Sequence, residues 1–298
     1  MRRIPSLLLV ASILLLPAVA LAQPVQYIHE DLEFDRPESW AMKYFASISL
    51  LSTLAAPRER PAGAIDASLE LSTIPSLSAR ERTVGFHGTK EEDLNKLPAL
   101  VRPRVTIALP RDFSVTAAWV PPVGLNGVRA NIVSLGVGKA IFRRDVWNAA
   151  ANLYGQSGTI RGAFTCPEDF VKFDPQGLYG CERPSSDTTK LRYVGLELSG
   201  GRRITALGSP TLQISGAVNY LDLDFQVNAL TFGFIDRRHM FADGTTWTAG
   251  AGATWAVAPR TDLGVNIFYA PLGIRRLDAN VENDPLVNAR ILLRYRLR

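Results

Sequence analysis

The feature that most constrains this sequence is an alternation of apolar with small or polar side chains, repeated along most of its length. Between Trp247 and Val257 every second residue is tryptophan, alanine or valine, and the residues between them are threonine, glycine or alanine. Residues 290–297 repeat the pattern, with isoleucine, leucine and tyrosine alternating mainly with arginine. Successive side chains of a β-strand point to opposite faces, so this period of two predicts strands with one apolar face.

The composition of the other face decides between two sheet architectures. It is rich in glycine, alanine, serine and threonine, whereas the solvent face of a soluble sandwich usually carries more lysine and glutamate. Many strands are about 9–11 residues long, which is enough to cross a bilayer at a tilt. The short connections are 110–112, 143–145 and 259–262, and the long ones are roughly 74–99, 157–188, 223–244 and 271–286. Alternating short and long connections are typical of a membrane barrel, with its apolar face turned outward.

Aromatic residues point to the same architecture. Tryptophan and tyrosine gather at the two membrane interfaces, where their rings meet the head-group region. Eight aromatic residues lie on the apolar face of a predicted strand, near one of its ends. Those expected at one rim are Phe113, Trp147, Trp255 and Tyr295, and those at the other are Trp119, Tyr220, Trp247 and Tyr269.

With these features the chain resembles a Gram-negative outer-membrane β-barrel over residues 40–298. The resemblance implies an all-β, antiparallel, up-and-down transmembrane β-barrel in the outer membrane. It also implies contact with outer-membrane lipid and lipopolysaccharide. The last strand, from Asn288 to Arg298, resembles the terminal strand that the barrel-assembly machinery recognises.

The number of strands depends on how residues 23–56 fold. Bacterial barrels close with an even number of strands. Residues 39–51 alternate like a strand, and a further strand from Gln26 to Phe34 would bring the total to about twelve, which is the expected number. The alternative is a barrel of ten strands with an N-terminal plug or short helix. It arises because Pro37 and Glu38 also resemble a helix start.

The first 22 residues have the features of a cleaved signal peptide. Two arginines precede an apolar run from Leu7 to Leu16, and small residues follow at positions 20 and 22. The apolar run is shorter than the roughly 20 residues of a membrane-spanning helix. We therefore expect a signal peptide at 1–22, an N-terminal periplasmic segment at 23–39 and the barrel at 40–298.

Little in the sequence indicates catalysis or cofactor binding. The histidines are His29, His87 and His239, and only His239, near Asp236 and Asp243, offers a site for a rim hydrolase. The formal net charge of +5 comes without a basic cluster interleaved with aromatics, which argues against nucleic-acid binding. The sequence predicts a protein that is not an enzyme and that needs no metal or cofactor.

Two long connections carry further features. Cys166 and Cys181 lie in the same connection, and after export two thiols at this separation predict a disulfide. The apolar stretch 223–241 is compatible both with a lid over the barrel mouth and with an extension of two strands.

Charged residues on the polar face should point into the barrel. In a narrow barrel opposite charges pair across the interior, and in a wider one they line a pore. The expected lumen charges are Asp66, Glu70, Arg102, Arg104, Arg192, Glu197, Arg290, Arg294 and Arg296. We expect a narrow channel or transporter for small solutes, including apolar ones. The alternative is a structural or surface-display barrel without a pore.

Overall fold

The computed structural model describes residues 25–55, 60–173, 179–205, 208–277 and 280–297, so the predicted signal peptide lies outside the described residues. Its main element is an antiparallel β-barrel of ten strands. The strands are β1 (Ile65–Thr73), β2 (Ala99–Ala108), β3 (Phe113–Val120), β4 (Val128–Arg144), β5 (Trp147–Gly162), β6 (Asp187–Arg203), β7 (Thr211–Gln226), β8 (Phe234–Ala258), β9 (Thr261–Ala270) and β10 (Leu286–Arg296).

The barrel closes on itself. Each strand pairs with its neighbours in the chain, and β10 pairs with β1, from Arg296 opposite Asp66 to Arg290 opposite Ser72. Closure removes the free sheet edges whose unpaired backbone groups a bilayer would not tolerate. We call the end with the long connections the outer end and the end with the short turns the inner end.

The expected count of twelve strands is not confirmed, and the ten-strand alternative fits the structure. The segment predicted as an extra strand is helix α1 (Pro37–Ser49), with proline in its first turn and the acidic Glu38 beside it. Both residues suit a helix start, because proline has a fixed φ and the carboxylate faces the positive end of the helix dipole. Nearly every side chain of α1 is buried, including Trp40 and Tyr44, so the helix needs apolar residues on all sides. Because apolar residues occur on every side of α1, some of them fall at every second position of the sequence. This is why residues 39–51 were predicted to be a strand.

The N-terminal segment runs through the barrel from end to end. The strand Val25–Asp31 pairs in parallel with residues 235–241 of β8, at the outer end. Helix α1 then enters the lumen, residues 50–55 continue along it, and β1 begins at the inner end. We call residues 37–55 the plug. Within the range predicted for the barrel, 40–298, the first strand of the wall begins at Ile65, because α1 and residues 50–55 lie inside the lumen. The strand Val25–Asp31, which belongs to the segment predicted to be periplasmic, lies at the outer end.

Short elements cover the outer end. The predicted disulfide between Cys166 and Cys181 is confirmed, and the stretch 223–241 mainly extends β7 and β8 instead of forming a separate lid. No helix among the described residues is long and apolar enough to cross a membrane. The remaining elements are α2 (Ala79–Arg82), α3 (Glu168–Phe173), the 3-10 turn Pro110–Asp112 at the inner end, and the short strands Thr83–Gly85, Lys90–Glu91, Gly124–Leu125, Cys181–Arg183, Ala229–Thr231, Gly273–Arg275 and Val281–Asn283.

The two faces of the wall differ as the alternation requires. On β6, Val194, Leu196 and Leu198 are exposed on the outside, while Tyr193 and Glu197 are buried inside. The eight aromatic residues expected at the rims all occupy outward positions of their strands: Phe113, Trp119, Trp147, Tyr220, Trp247, Trp255, Tyr269 and Tyr295. An apolar outer face between two aromatic rims suits a bilayer.

Candidate functional site

The centre of the lumen holds an unbalanced cluster of charges. Glu70 accepts hydrogen bonds from Arg102 (Nε to Oε2, 2.7 Å) and Arg104 (Nε to Oε2, 2.7 Å). Arg290 approaches the same carboxylate at 3.9 Å. The side chains of Glu70, Arg102 and Arg290 are fully buried, and that of Arg104 nearly so. One carboxylate therefore faces three guanidinium groups.

The plug supplies the acceptors that the carboxylate cannot. The last carbonyls of a helix have no partner within the helix and carry the negative end of its dipole. At the end of α1 the three arginines donate to these carbonyls and to those just after them. The pairs are Arg102 Nη1 to Ser49 O (2.7 Å), Arg104 Nη1 to Ser52 O (2.9 Å), Arg290 Nη1 to Leu50 O (2.7 Å) and Arg290 Nη2 to Ser47 O (3.2 Å).

The rest of the plug is also held by polar contacts with the wall. Thr53 donates through its backbone N–H (2.9 Å) and its hydroxyl (2.7 Å) to Glu197 Oε2. Asn152 donates to the Thr53 hydroxyl at 2.7 Å. Asn266 donates to Leu54 O at 2.8 Å, and the Tyr193 hydroxyl accepts from the backbone N–H of residue 51 at 2.5 Å. These are contacts that water can replace if the plug moves.

The wall also approaches the plug closely at Gly264. A Cβ atom at this position would lie 2.6 Å from Leu54 O, a backbone atom of the plug. We expect Gly264→Ala to push the plug from its place, because the new methyl group cannot be accommodated there. An overpacking cost of about 1–3 kcal/mol corresponds to roughly 5- to 150-fold more opening. The measurement is the rate at which a water-soluble maleimide labels a cysteine placed at Ser52, which is buried in the plug.

Gly216→Ala is the matched control for this experiment. Its Cβ would face the outside and meet Thr248 O at an ordinary 3.9 Å. Labelling should proceed there at the rate of the parent protein. Equal labelling of the two alanine variants would show that the wall at Gly264 does not hold the plug.

A cavity of about 140 Å³ lies between the plug and the inner end. Its lining runs from Leu51 and Thr53 of the plug to Asp112 and Arg143 at the short turns. Most of the other side chains around it are polar or small. The inner half of the lumen therefore has a mostly polar space large enough for water, bordered by residues 51–55 of the plug.

A second pocket, of about 60 Å³, lies at the outer end on top of helix α1. Four plug residues form its floor, and its sides are mainly apolar, including Phe86 and Phe164. Glu92 also lines it, and burial raises the pKa of this carboxyl to about 8, against the opposing effect of Lys90. The Oε2 atom of Glu92 lies 3.0 Å from Lys90 Nζ, so this acidic side chain is paired, and the rest of the lining is mainly apolar. The plug residues are Glu38, Ala41, Met42 and Phe45.

Eight of the nine expected lumen charges point into the barrel: Asp66, Glu70, Arg102, Arg104, Glu197, Arg290, Arg294 and Arg296. The three arginines of β10 have different acidic neighbours, and Arg290 is the one that approaches Glu70. Arg296 is 4.0 Å from Asp66, which has a shorter contact with Arg60 at 2.7 Å. Arg294 donates instead to Asp262 at 2.9 Å.

Arg192 is the exception and requires a correction. It lies on the outer face, where its exposed side chain contacts Asp222 at 3.0 Å. The reason is the period of two, because residue 192 shares its face with Val194 and Leu196 and continues that row beyond the apolar band.

His239 also lies on the outer face, with partners that differ from those expected. Its Nε2 atom is 2.5 Å from Asp224 Oδ1 and 2.9 Å from Gln226. Of the two predicted neighbours, Asp243 accepts instead from the Tyr220 hydroxyl at 2.8 Å. Asp224 was not predicted to matter. Its contact with His239 depends on the pairing of β7 with β8 beyond the apolar band, which the sequence does not show. Within the described ranges, no group of three or more histidine, cysteine, aspartate or glutamate side chains is arranged to hold a metal ion.

Comparison with known proteins gives structural similarities only. No protein-family model matches the sequence, and no curated protein matches it. The chain is similar to the outer-membrane protease OmpT from Escherichia coli, with 10% identity and a TM-score of 0.40 over 79% of this chain and 94% of that one. It is also similar to the translocator domain of autotransporter NalP from Neisseria meningitidis (9% identity, TM-score 0.42, 81% and 91% coverage). A third is the Pseudomonas putida toluene transporter TodX (12% identity, TM-score 0.33, 90% and 78% coverage).

At these identities and scores the similarities carry no functional argument. The closed antiparallel wall, its apolar outer face with two aromatic rims and its charged interior define an outer-membrane β-barrel. The resemblance inferred from the sequence is thereby confirmed. Inside this barrel, residues 37–55 of the same chain occupy much of the lumen.

Proposed function

We propose that this protein is a gated outer-membrane channel for a small solute with an apolar body, and that the plug is its gate. The observation that carries the proposal is the position of the outer pocket. Helix α1 forms its floor through Met42 and Phe45. A solute in this pocket would touch the gate directly, so its binding can favour a displaced plug if that state binds it more tightly.

The character of the lumen supports a plug that moves. A barrel that is filled for structural reasons alone pairs its interior charges with one another. Here Arg102, Arg104 and Arg290 share one carboxylate. Each of them also donates a hydrogen bond to a backbone carbonyl of the plug. Water could satisfy these donors in an open bore. A ten-stranded barrel leaves a narrow bore even when open, which restricts passage to small molecules.

The membrane setting follows the same reasoning. We infer that export uses the signal peptide 1–22, and that the barrel-assembly machinery inserts the mature chain through its terminal strand. The long connections of such barrels face the cell exterior and the short turns the periplasm. The outer pocket then faces the medium, and the inner cavity faces the periplasm.

A reversible cross-link between plug and wall tests the gate. Thr53 of the plug and Asn152 of β5 are hydrogen-bonded to each other, and both are replaced by cysteine. A short bis-methanethiosulfonate then joins the two thiols in the folded barrel. We expect solute flux into liposomes to fall to background in the cross-linked protein and to return on reduction, because the plug must shift away from the wall of the bore to open a path.

Wild-type protein and the single variant Thr53→Cys, treated with the same reagents, are the controls for side effects and for reduction of Cys166–Cys181. Flux that survives cross-linking would exclude the plug as the gate. Protein that never conducts, cross-linked or not, would instead favour a structural barrel with a permanent plug.

A further inference from the structure

Four basic side chains form a cluster on the outside of the barrel, just beyond the outer aromatic rim. Strand register places Arg129 of β4 directly opposite Arg161 of β5. Lys190 and Arg192 follow on the outward face of β6. Arg129, Arg161 and Arg192 are exposed, and Lys190 is 45% exposed at its side chain. We call these four residues the basic cluster.

The two arginines at the top of the basic cluster, Arg129 and Arg161, face each other without an acidic partner among the described residues. Lys190 and Arg192 have carboxylate partners, Asp224 and Asp222, each at 3.0 Å. In the part of the chain that the structure describes, neither Arg129 nor Arg161 has an ion pair. Like charges that face each other directly on neighbouring strands repel and destabilise the sheet. An external anion between them would remove this cost.

An apolar groove begins where the basic cluster ends. It has a volume of about 540 Å³ and is lined by Val133, Leu135 and Val194, while Gly155 leaves its floor without a side chain. At its upper edge it is also lined by Tyr220 and by the ion pair of Arg192 with Asp222. Tyr220 belongs to the outer aromatic rim, so the groove runs from the head-group level into the apolar band.

We propose that the basic cluster binds the phosphate groups of an outer-leaflet lipid, lipopolysaccharide, with one of its acyl chains in the apolar groove. Arginine presents planar, paired donors that match phosphate oxygens, and such charge-assisted hydrogen bonds are the stronger ones. The vertical order of cationic cluster and apolar groove matches the order of phosphate and acyl chain in the lipid. On β7 the site ends at Asp222 and Asp224, whose negative charges would repel a phosphate group. The proposal rests on insertion in the outer membrane but is independent of gating.

The test compares lipid binding by full-length folded barrels in detergent micelles. Purified lipopolysaccharide is titrated into wild-type protein and into the double variant Arg129→Gln/Arg161→Gln, and bound lipid is counted by native mass spectrometry. We expect binding about tenfold weaker or more in the double variant, since both charge-assisted donors are lost. Dephosphorylated lipopolysaccharide should bind wild type as weakly as the intact lipid binds the variant.

The matched control carries the same substitutions at the inner end, at the outward-facing Arg144 and Arg202. It should bind lipopolysaccharide like wild type, and a mobility shift on heating verifies that each variant is folded. Equal binding by the double variant would overturn the proposal, as would equal binding of the dephosphorylated lipid. If inorganic phosphate, at the same concentration as the lipopolysaccharide, displaces it completely, the basic cluster is a site for free phosphate and the lipid proposal is overturned.

Discussion

Glu70→Gln is expected to destabilise the folded barrel by about 3–5 kcal/mol, the cost of removing one partner of a buried ion pair. The carboxylate is the shared counter-ion of Arg102, Arg104 and Arg290, and all four groups are removed from solvent. Glutamine keeps the size of the side chain and part of its hydrogen bonding. The loss of unfolding free energy therefore measures the contribution of the negative charge. The measurement is urea unfolding in detergent micelles, followed by the mobility of unheated protein on gels.

An exposed ion pair provides the comparison for this variant. Asp222→Asn removes the carboxylate partner of Arg192 on the outer face. Its expected cost is within about 1 kcal/mol, because solvent screens the pair. If Glu70→Gln unfolds at the same urea concentration as Asp222→Asn, the charges of the lumen do not hold the barrel together.

Removal of residues 25–55 is expected to convert the barrel into an open channel that prefers anions. The deletion takes away the carbonyls that occupy the three central arginines, while Glu70 remains as the carboxylate that accepts hydrogen bonds from Arg102 and Arg104. Fixed positive charge in a narrow bore attracts anions and repels cations. Planar-bilayer recordings in a potassium chloride gradient measure the preference through the reversal potential.

The same deletion with Arg102→Gln and Arg104→Gln identifies the source of the preference. Both guanidinium groups line the lumen next to the plug, and their loss should bring anion selectivity down to little or none. A deletion variant that folds but does not conduct would show that the wall collapses without its plug. Unchanged selectivity in the arginine variant would assign the preference to other charges.

Much of the wall was predictable from the sequence because a bilayer imposes a simple rule on strands. Lipid requires apolar side chains at every second position, and interfaces favour aromatic rings at the strand ends. The rims and the disulfide followed from those rules and from export. The same rule, applied strictly, places Arg192 on the face of Val194, so its assignment to the lumen came from its charge and not from its position.

The plug was harder to predict for physical reasons. A helix that is buried on all sides lacks the amphipathic period that marks a surface helix, and Trp40, Met42 and Tyr44 alternate like strand residues. The partners of the lumen arginines were hidden for a different reason. They are backbone carbonyls, such as Ser49 O and Leu50 O, and a sequence does not show which carbonyls a distant side chain will meet.

The path of the N-terminal segment has a consequence for assembly. Strand Val25–Asp31 is paired at one mouth of a closed cylinder, and Ile65 starts the wall at the other mouth. The cylinder must therefore seal around a chain that already occupies it, or that chain must travel the full length of the finished cylinder. The seam between β1 and β10 joins residues that are more than two hundred positions apart in sequence. Loop closure of that kind is intrinsically slow, which allows time for the N-terminal segment to be captured before the seam forms. The mature protein is then a threaded molecule, whose gate is held by topology as well as by hydrogen bonds.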